Sequence, residues 1–211
     1  MDNLNIRRFL AMEKRVSALP KPASVQLIDR YGSNSYLILM ATLLSLRARD
    51  VVSMPIAEEL FILAPTPQAL LELSRETLED ILRPIGFYRV KAATLHFVFD
   101  HIVRAYQGII PSEEEALLAL PGVGRKTANL VRGEVFQIPC ICVDTHVHRI
   151  ANHCGFVTTQ HPKDTEKVLM QKFPQEYWIR INRVLVAWGQ HVCVSSKRIC
   201  SCACELKKLN Y

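Results

Sequence analysis

Residues 121–149 read PGVGRKTANLVRGEVFQIPCICVDTHVHR and bring together three features that can do chemistry: a Gly-x-Gly turn, an amine and a carboxylate. The turn Pro121-Gly122-Val123-Gly124 presents backbone N–H groups at the start of the helix expected to follow, a geometry that binds phosphate. Lys126 falls in the first turn of that helix, where the positive end of the helix dipole disfavours an ammonium group. A lysine pushed toward neutrality beside a phosphate-binding turn is a candidate amine nucleophile on a nucleic acid. Asp144 comes 18 residues later, after an apolar segment and before a helical run, which makes its carboxylate a candidate N-cap.

A second constellation lies near the C-terminus. Cys193, Cys200, Cys202 and Cys204 fall within 12 residues, a density that favours a bound metal over coincidence. Cys140 and Cys142 sit in an apolar linker and read as small core residues. His146, His148 and His153 follow Asp144, but positions 146 and 148 point to different faces of a helix. A phosphate contact suits His146 or His148 better than a shared metal. Trp178 and Trp188 lie on a helical apolar pattern and are expected in the core.

The elements that must position these groups are helical nearly throughout. Apolar residues recur at spacings of three and four over 36–46, 56–63, 78–85, 90–103 and 178–192. Pro and Gly punctuate the pattern at 20–22, 65–67, 84–86, 108–111, 121–124 and 139. Ser112 and Glu115 form a capping-box pattern ahead of Ala116, so a short helix is expected to lead into the glycine turn. Residues 137–143 read as an extended linker. The fold class is all-α.

The chain has 211 residues, 49% of them apolar, enough for a substantial core in one domain or two small ones. Its net charge is +6 and its pI about 9.0. From Arg180 onward six Lys/Arg (180, 183, 197, 198, 207, 208) stand against one acid, Glu205. This modest basic footprint suits a polyanion partner, with salt-dependent binding. The N-terminal MDNLNIRRFLAMEKR lacks the apolar core of a secretory signal, and the 11-residue run 36–46 falls short of the roughly 20 residues of a membrane span. The expectation is an intracellular protein of the cytoplasm or nucleoid with no membrane association. Its seven cysteines are then reduced thiols or metal ligands.

LPGVGRKTANLV (120–131) followed by VDTHVHRIANHCG (143–155) resembles the helix-hairpin-helix and Gly-Pro-Asp region of the endonuclease III family of DNA glycosylases. LLSLRARD (43–50), IGFYRVKA (85–92) and WGQHVC (188–193) extend the similarity, in family order, over roughly residues 25–200. The resemblance implies two helical lobes flanking a DNA-binding cleft. One is a helical barrel over 27–138 with the hairpin at about 113–136. The other joins 1–26 to 139–211 and carries the cysteine-rich loop at 193–204.

The activity so implied is a bifunctional one, removal of oxidised pyrimidines from duplex DNA followed by AP lyase cleavage. Lys126 would be the Schiff-base nucleophile and Asp144 its activator. Gly122, Val123, Gly124 and Arg125 would hold the DNA backbone. Arg47 would contact the widowed base and Phe87 would wedge into the stack, while Asp50 matches a recurrent position with only a structural role. The implied partner is duplex DNA containing damaged bases or abasic sites, bound by a monomer. Alternatives are a mismatch-specific glycosylase, which the lysine argues against, and a non-catalytic helix-hairpin-helix DNA-binding protein.

The family commonly ends in Cys-x6-Cys-x2-Cys-x5-Cys, four thiolates around a [4Fe–4S] cluster. Here Cys193-x6-Cys200 fits, but Ala203 and Leu209 occupy the two remaining positions and Cys202 and Cys204 follow at single-residue gaps. A [4Fe–4S] cluster on Cys193, Cys200, Cys202 and Cys204 is therefore one expectation. Replacement by zinc or another metal, or loss of the metal, are the others.

Overall fold

The computed structural model describes residues 3–194, and among these every regular element is a helix. In chain order they are α1 (Asn3–Val16), α2 (Ala23–Tyr31), α3 (Ser35–Ser45), α4 (Asp50–Leu63), α5 (Pro67–Glu72), α6 (Arg75–Leu82), α7 (Tyr88–Tyr106), α8 (Glu114–Leu118), α9 (Arg125–Glu134), α10 (Thr145–His153), α11 (Pro162–Lys172) and α12 (Trp178–His191), with a 3-10 turn at Gln175–Tyr177 before α12. Residues 137–144 form neither helix nor strand.

Two compact units divide the chain. One is Gln26–Phe136; the other takes the N-terminal residues up to Val25 and the described residues from Gln137 onward.

The Gln26–Phe136 unit is built on α3. Its nine consecutive residues Tyr36–Leu44 are all buried, so α3 is apolar on every side and passes through the middle of its unit. The Asn34 side chain starts it by accepting from the Leu37 N–H at 2.9 Å. Helices α4, α7 and α9 pack on α3, while α5 and α6 pack on α7. The Tyr36 hydroxyl donates to the Ala64 carbonyl at 3.0 Å, and burial pushes its pKa up.

Several helix starts in this unit follow from short polar caps. Thr66 accepts from the Ala69 N–H at 3.1 Å with Pro67 at the first helical position, and Ser74 accepts from the Thr77 N–H at 3.1 Å. The capping box expected at Ser112 does not form. Glu113 is the N-cap of α8, and its carboxylate accepts from the Ser112 N–H at 3.1 Å and the Ser112 hydroxyl at 3.3 Å. With Ser112 engaged by its neighbour, the helix begins one residue late.

In the second unit α10 packs on α12, α1 on α12 and α11 on α10. Trp188 is fully buried among Ile141, Val147, Ile150 and Leu185. Trp178 is half-buried and its indole N–H donates to the Phe173 carbonyl at 2.9 Å. Phe9 meets Phe173 and Tyr177 edge-on, with both centroid separations at 5.7 Å. The Arg180 guanidinium donates to Glu13 through Nε at 2.8 Å and through Nη2, tying α12 to α1. That hydrogen-bonded carboxylate raises the Arg180 pKa.

Candidate active site

The glycine turn lies between α8 and α9. Val123 is 5% exposed and seats the turn in the core, while Gly122 and Gly124 on either side are exposed. Gly122 has φ +77°, a left-handed conformation, and a Cβ there would meet Thr94 Cγ2 at 3.1 Å. Both observations favour a glycine at that position. Gly124 is different: its φ of −93° suits any residue and a Cβ would meet nothing within 4 Å. The exposed backbone there can accept close approach by a ligand.

Gly124 is the N-cap of α9, and no side chain caps that helix. Lys126 stands at its second position, half-buried. Arg125 pairs with Glu114 at 3.2 Å, and Arg132 from the far end of α9 reaches the other oxygen of the same carboxylate at 2.8 Å. Glu114 thus fixes α8 against α9 and offsets positive charge beside the turn.

Asp144 is the N-cap of α10, as its placement before a helical run led us to expect. Its Oδ1 accepts from the Val147 N–H at 2.8 Å, and Oδ2 has no hydrogen-bond partner among the described residues. The Asn182 amide donates to the Cys142 carbonyl at 2.9 Å and so anchors the segment that delivers Asp144 to α12.

Arg47 and Phe87 both have left-handed backbones, at φ 55° and 62°. They line one cavity of about 220 Å3, together with Lys91, Leu95 and Gly122. Phe87 is 66% exposed, so it is no core aromatic. A bulky residue at positive φ is a costly conformation, which persists where the surroundings dictate it and is frequent at functional sites.

Lys91 was not singled out from sequence. It is buried, and its ammonium donates to the carbonyls of Leu43 at 3.2 Å and Leu46 at 2.8 Å, at the C-terminal end of α3. Burial lowers its pKa. These two bonds fix the end of α3 immediately before Arg47. The partner carbonyls lie 45 and 48 residues away, so no local spacing announces them.

The three histidines after Asp144 diverge. His146 turns toward α12, where a Cβ on Gly189 would come within 2.7 Å of its Nδ1. His148 meets the Thr165 hydroxyl of α11 at 2.6 Å. His153 has Nδ1 3.8 Å from Cys193 Sγ. Arg149, another residue without a sequence signal, donates to Cys193 Sγ at 3.1 Å and to the Gly189 carbonyl at 3.1 Å. Cys193 is buried; Cys200, Cys202 and Cys204 lie outside the described residues, as do Lys197 and Arg198. No group of three or more His, Cys, Asp or Glu suited to a metal occurs among the described residues. Cys140 and Cys142 are buried, in keeping with a packing role. No helix among the described residues is long and apolar enough to cross a membrane.

Comparison with known proteins supplies the lineage of this arrangement. Residues 40–175 match the model of the HhH-GPD superfamily base excision DNA repair protein. Endonuclease III of Thermotoga maritima is 39% identical over 187 residues, covering 86% of this chain and 87% of that protein. A non-covalent endonuclease III–DNA complex superposes with a TM-score of 0.77 at 33% identity, covering 83% of this chain and 82% of that chain. A trapped covalent endonuclease III–DNA intermediate also gives 0.77, at 31% identity, covering 89% and 90%. With its glycine turn, lysine and capping aspartate inside the matched region, the chain belongs to the endonuclease III family of the HhH-GPD superfamily.

Proposed function

We propose that this chain is a base-excision-repair DNA glycosylase with AP lyase activity, acting on oxidised pyrimidines in duplex DNA, with Lys126 as its nucleophile. The observation that carries this reading is that a member of this family has both an uncapped, lysine-bearing helix start at Gly124–Lys126 and a carboxylate cap at Asp144.

The turn Gly122–Gly124 and the start of α9 supply main-chain donors for a DNA phosphate. Arg125 is already paired with Glu114, so the backbone rather than that guanidinium carries most of this contact. The damaged nucleotide leaves the stack at a cost of roughly a few kcal/mol. Phe87, exposed on its left-handed turn, enters the vacated space, and the Arg47 guanidinium hydrogen-bonds the widowed base.

The Lys126 amine attacks C1′ as the C1′–N bond breaks, and the electron pair leaves with the base, which takes up a proton. The Asp144 carboxylate accepts the proton lost by the amine and stabilises positive charge on the sugar. Ring opening gives an iminium between Lys126 and C1′. Loss of the C2′ proton then expels the 3′ phosphate with the C3′–O electron pair, and water releases the lysine. One oxygen of Asp144 is committed to the Val147 N–H, which fixes the carboxylate while Oδ2 remains for this chemistry.

Borohydride trapping on a duplex carrying thymine glycol tests the reading. The intact chain should form a covalent protein–DNA adduct, and Lys126→Gln should form none while still binding the duplex. An adduct that survives Lys126→Gln would remove Lys126 from its role. No adduct from the unaltered chain would leave a monofunctional glycosylase or a DNA-binding module.

A further inference from the structure

Asp144 lies between two points at which α12 holds the chain. Before it, the Cys142 carbonyl accepts from the buried Asn182 amide at 2.9 Å. After it, the start of α10 rests on Gly189, where a Cβ would meet His146 Nδ1 at 2.7 Å, His146 Cβ at 3.1 Å and Arg149 Nη2 at 3.2 Å. The Gly189 carbonyl also accepts from the Arg149 guanidinium at 3.1 Å. Asn182 and Gly189 are seven residues apart in α12, hence on one face and about 10 Å apart along its axis. The residues they hold, Cys142 and His146, are each two positions from Asp144.

Nothing in the backbone of α12 calls for a glycine at 189. Its φ lies outside the left-handed region, and a helix favours alanine over glycine. What calls for it is the approach of α10. The distances to a Cβ at 189 fall inside the roughly 3.5–4.0 Å at which non-bonded atoms attract. His146 Nδ1 is buried with no hydrogen-bond partner among the described residues, so packing seats this edge of the ring. An imidazole can rotate away from an added methyl group, but His146 Cβ moves only with the backbone. A side chain at 189 would therefore lift the first turn of α10, and Asp144 with it.

We propose, resting on the role given to Asp144 in base excision, that Gly189 and Asn182 are positioning residues for its carboxylate. The bare backbone at Gly189 sets how closely α10 approaches α12, and Asn182 fixes the segment that enters the cap. A reacting group displaced by about 1 Å loses on the order of 10²-fold in rate, so this depth bears on turnover more than on DNA affinity.

Single-turnover excision of thymine glycol and affinity for undamaged duplex, measured side by side, test the proposal. Gly189→Ala should slow excision roughly 10–100-fold while duplex affinity stays within about twofold. Asn182→Leu keeps the volume but removes the donor to Cys142, and should shift the two readouts in the same way; it decides the matter if Gly189→Ala does not fold. In an Asp144→Asn background each substitution should slow the residual excision by less than about twofold, because the carboxylate they position is gone. Unchanged excision in both variants, the same loss with and without the Asp144 carboxylate, or a loss confined to duplex affinity would each overturn the proposal. Full excision by Asp144→Asn alone would instead remove the role of Asp144, and the positioning with it.

Discussion

Helices α9 and α10 start in opposite ways, and under the proposed function the contrast separates binding from chemistry. The start of α9 has a glycine at the N-cap and no capping side chain, with open space where a Cβ would project. The start of α10 is closed by the Asp144 carboxylate on the Val147 N–H. An uncapped N-terminus leaves the helix dipole to an outside anion. A capped one uses its own carboxylate, and the cap fixes that carboxylate in place. The first suits a DNA phosphate; the second suits a group that must not move during reaction.

The sharpest break comes from Asp144→Asn. Asparagine caps as well as aspartate, so folding stability should change little, while loss of the charge and of the proton acceptor should cut base excision by about 10²–10⁴-fold. Asp144→Ala should lose as much activity and, in addition, about 1 kcal/mol of stability. Single-turnover excision beside thermal denaturation of both variants separates the two roles. An Asn variant with full excision would reduce Asp144 to a cap.

Giving α9 the closed start of α10 is the reciprocal test. Gly124→Asp introduces no strain at φ −93° and should leave stability within a few tenths of a kcal/mol or slightly improved. It also places a negative charge where the proposed phosphate contact would form, so affinity for undamaged duplex should fall about tenfold, roughly 1.4 kcal/mol. Gly122→Ala should do the reverse. Its cost falls on folding, by about 1–2 kcal/mol, because of φ +77° and the Thr94 contact. Equal DNA affinity in Gly124→Asp and the parent chain would end the phosphate assignment.

The two helix starts also show what a sequence reveals. Pro121 through Gly124 and Asp144 are local signals, and the turn and the cap stand where they were expected. Prolines were less transparent. Pro67 was read as part of the punctuation at 65–67, yet it opens α5 at its first position behind Thr66; Pro162, which carried no reading, opens α11 behind His161 in the same way. Ser112 failed as a cap because Glu113, one bond away, captured it. Phe87 was expected at the surface only through the family resemblance; its exposure goes with a left-handed backbone at 87 that no local spacing announces. The contacts of Arg149 with Cys193 and of Lys91 with α3 join residues more than 40 positions apart, and periodicity carries no trace of them.

Lys91 gives the most specific test, since it fixes the end of α3 from which Arg47 projects. Lys91→Met keeps the buried stem but leaves the Leu43 and Leu46 carbonyls without this donor, which should cost about 1–3 kcal/mol. A pH signature accompanies the loss. Because burial lowers the folded-state pKa, the unfolded chain binds more protons between that depressed value and the ordinary lysine value. Stability therefore rises with pH through this alkaline window, as the buried ammonium gives up its charge while the neutral amine still serves both carbonyls. Below the window the penalty is constant; above it the contribution levels off. Chemical denaturation across the alkaline range should show the rise in the parent chain and its absence in Lys91→Met. The same slope in both would mean that another group titrates there. If the pinned end of α3 also fixes Arg47, the Met variant should lose discrimination among bases opposite the lesion more than it loses affinity for undamaged DNA.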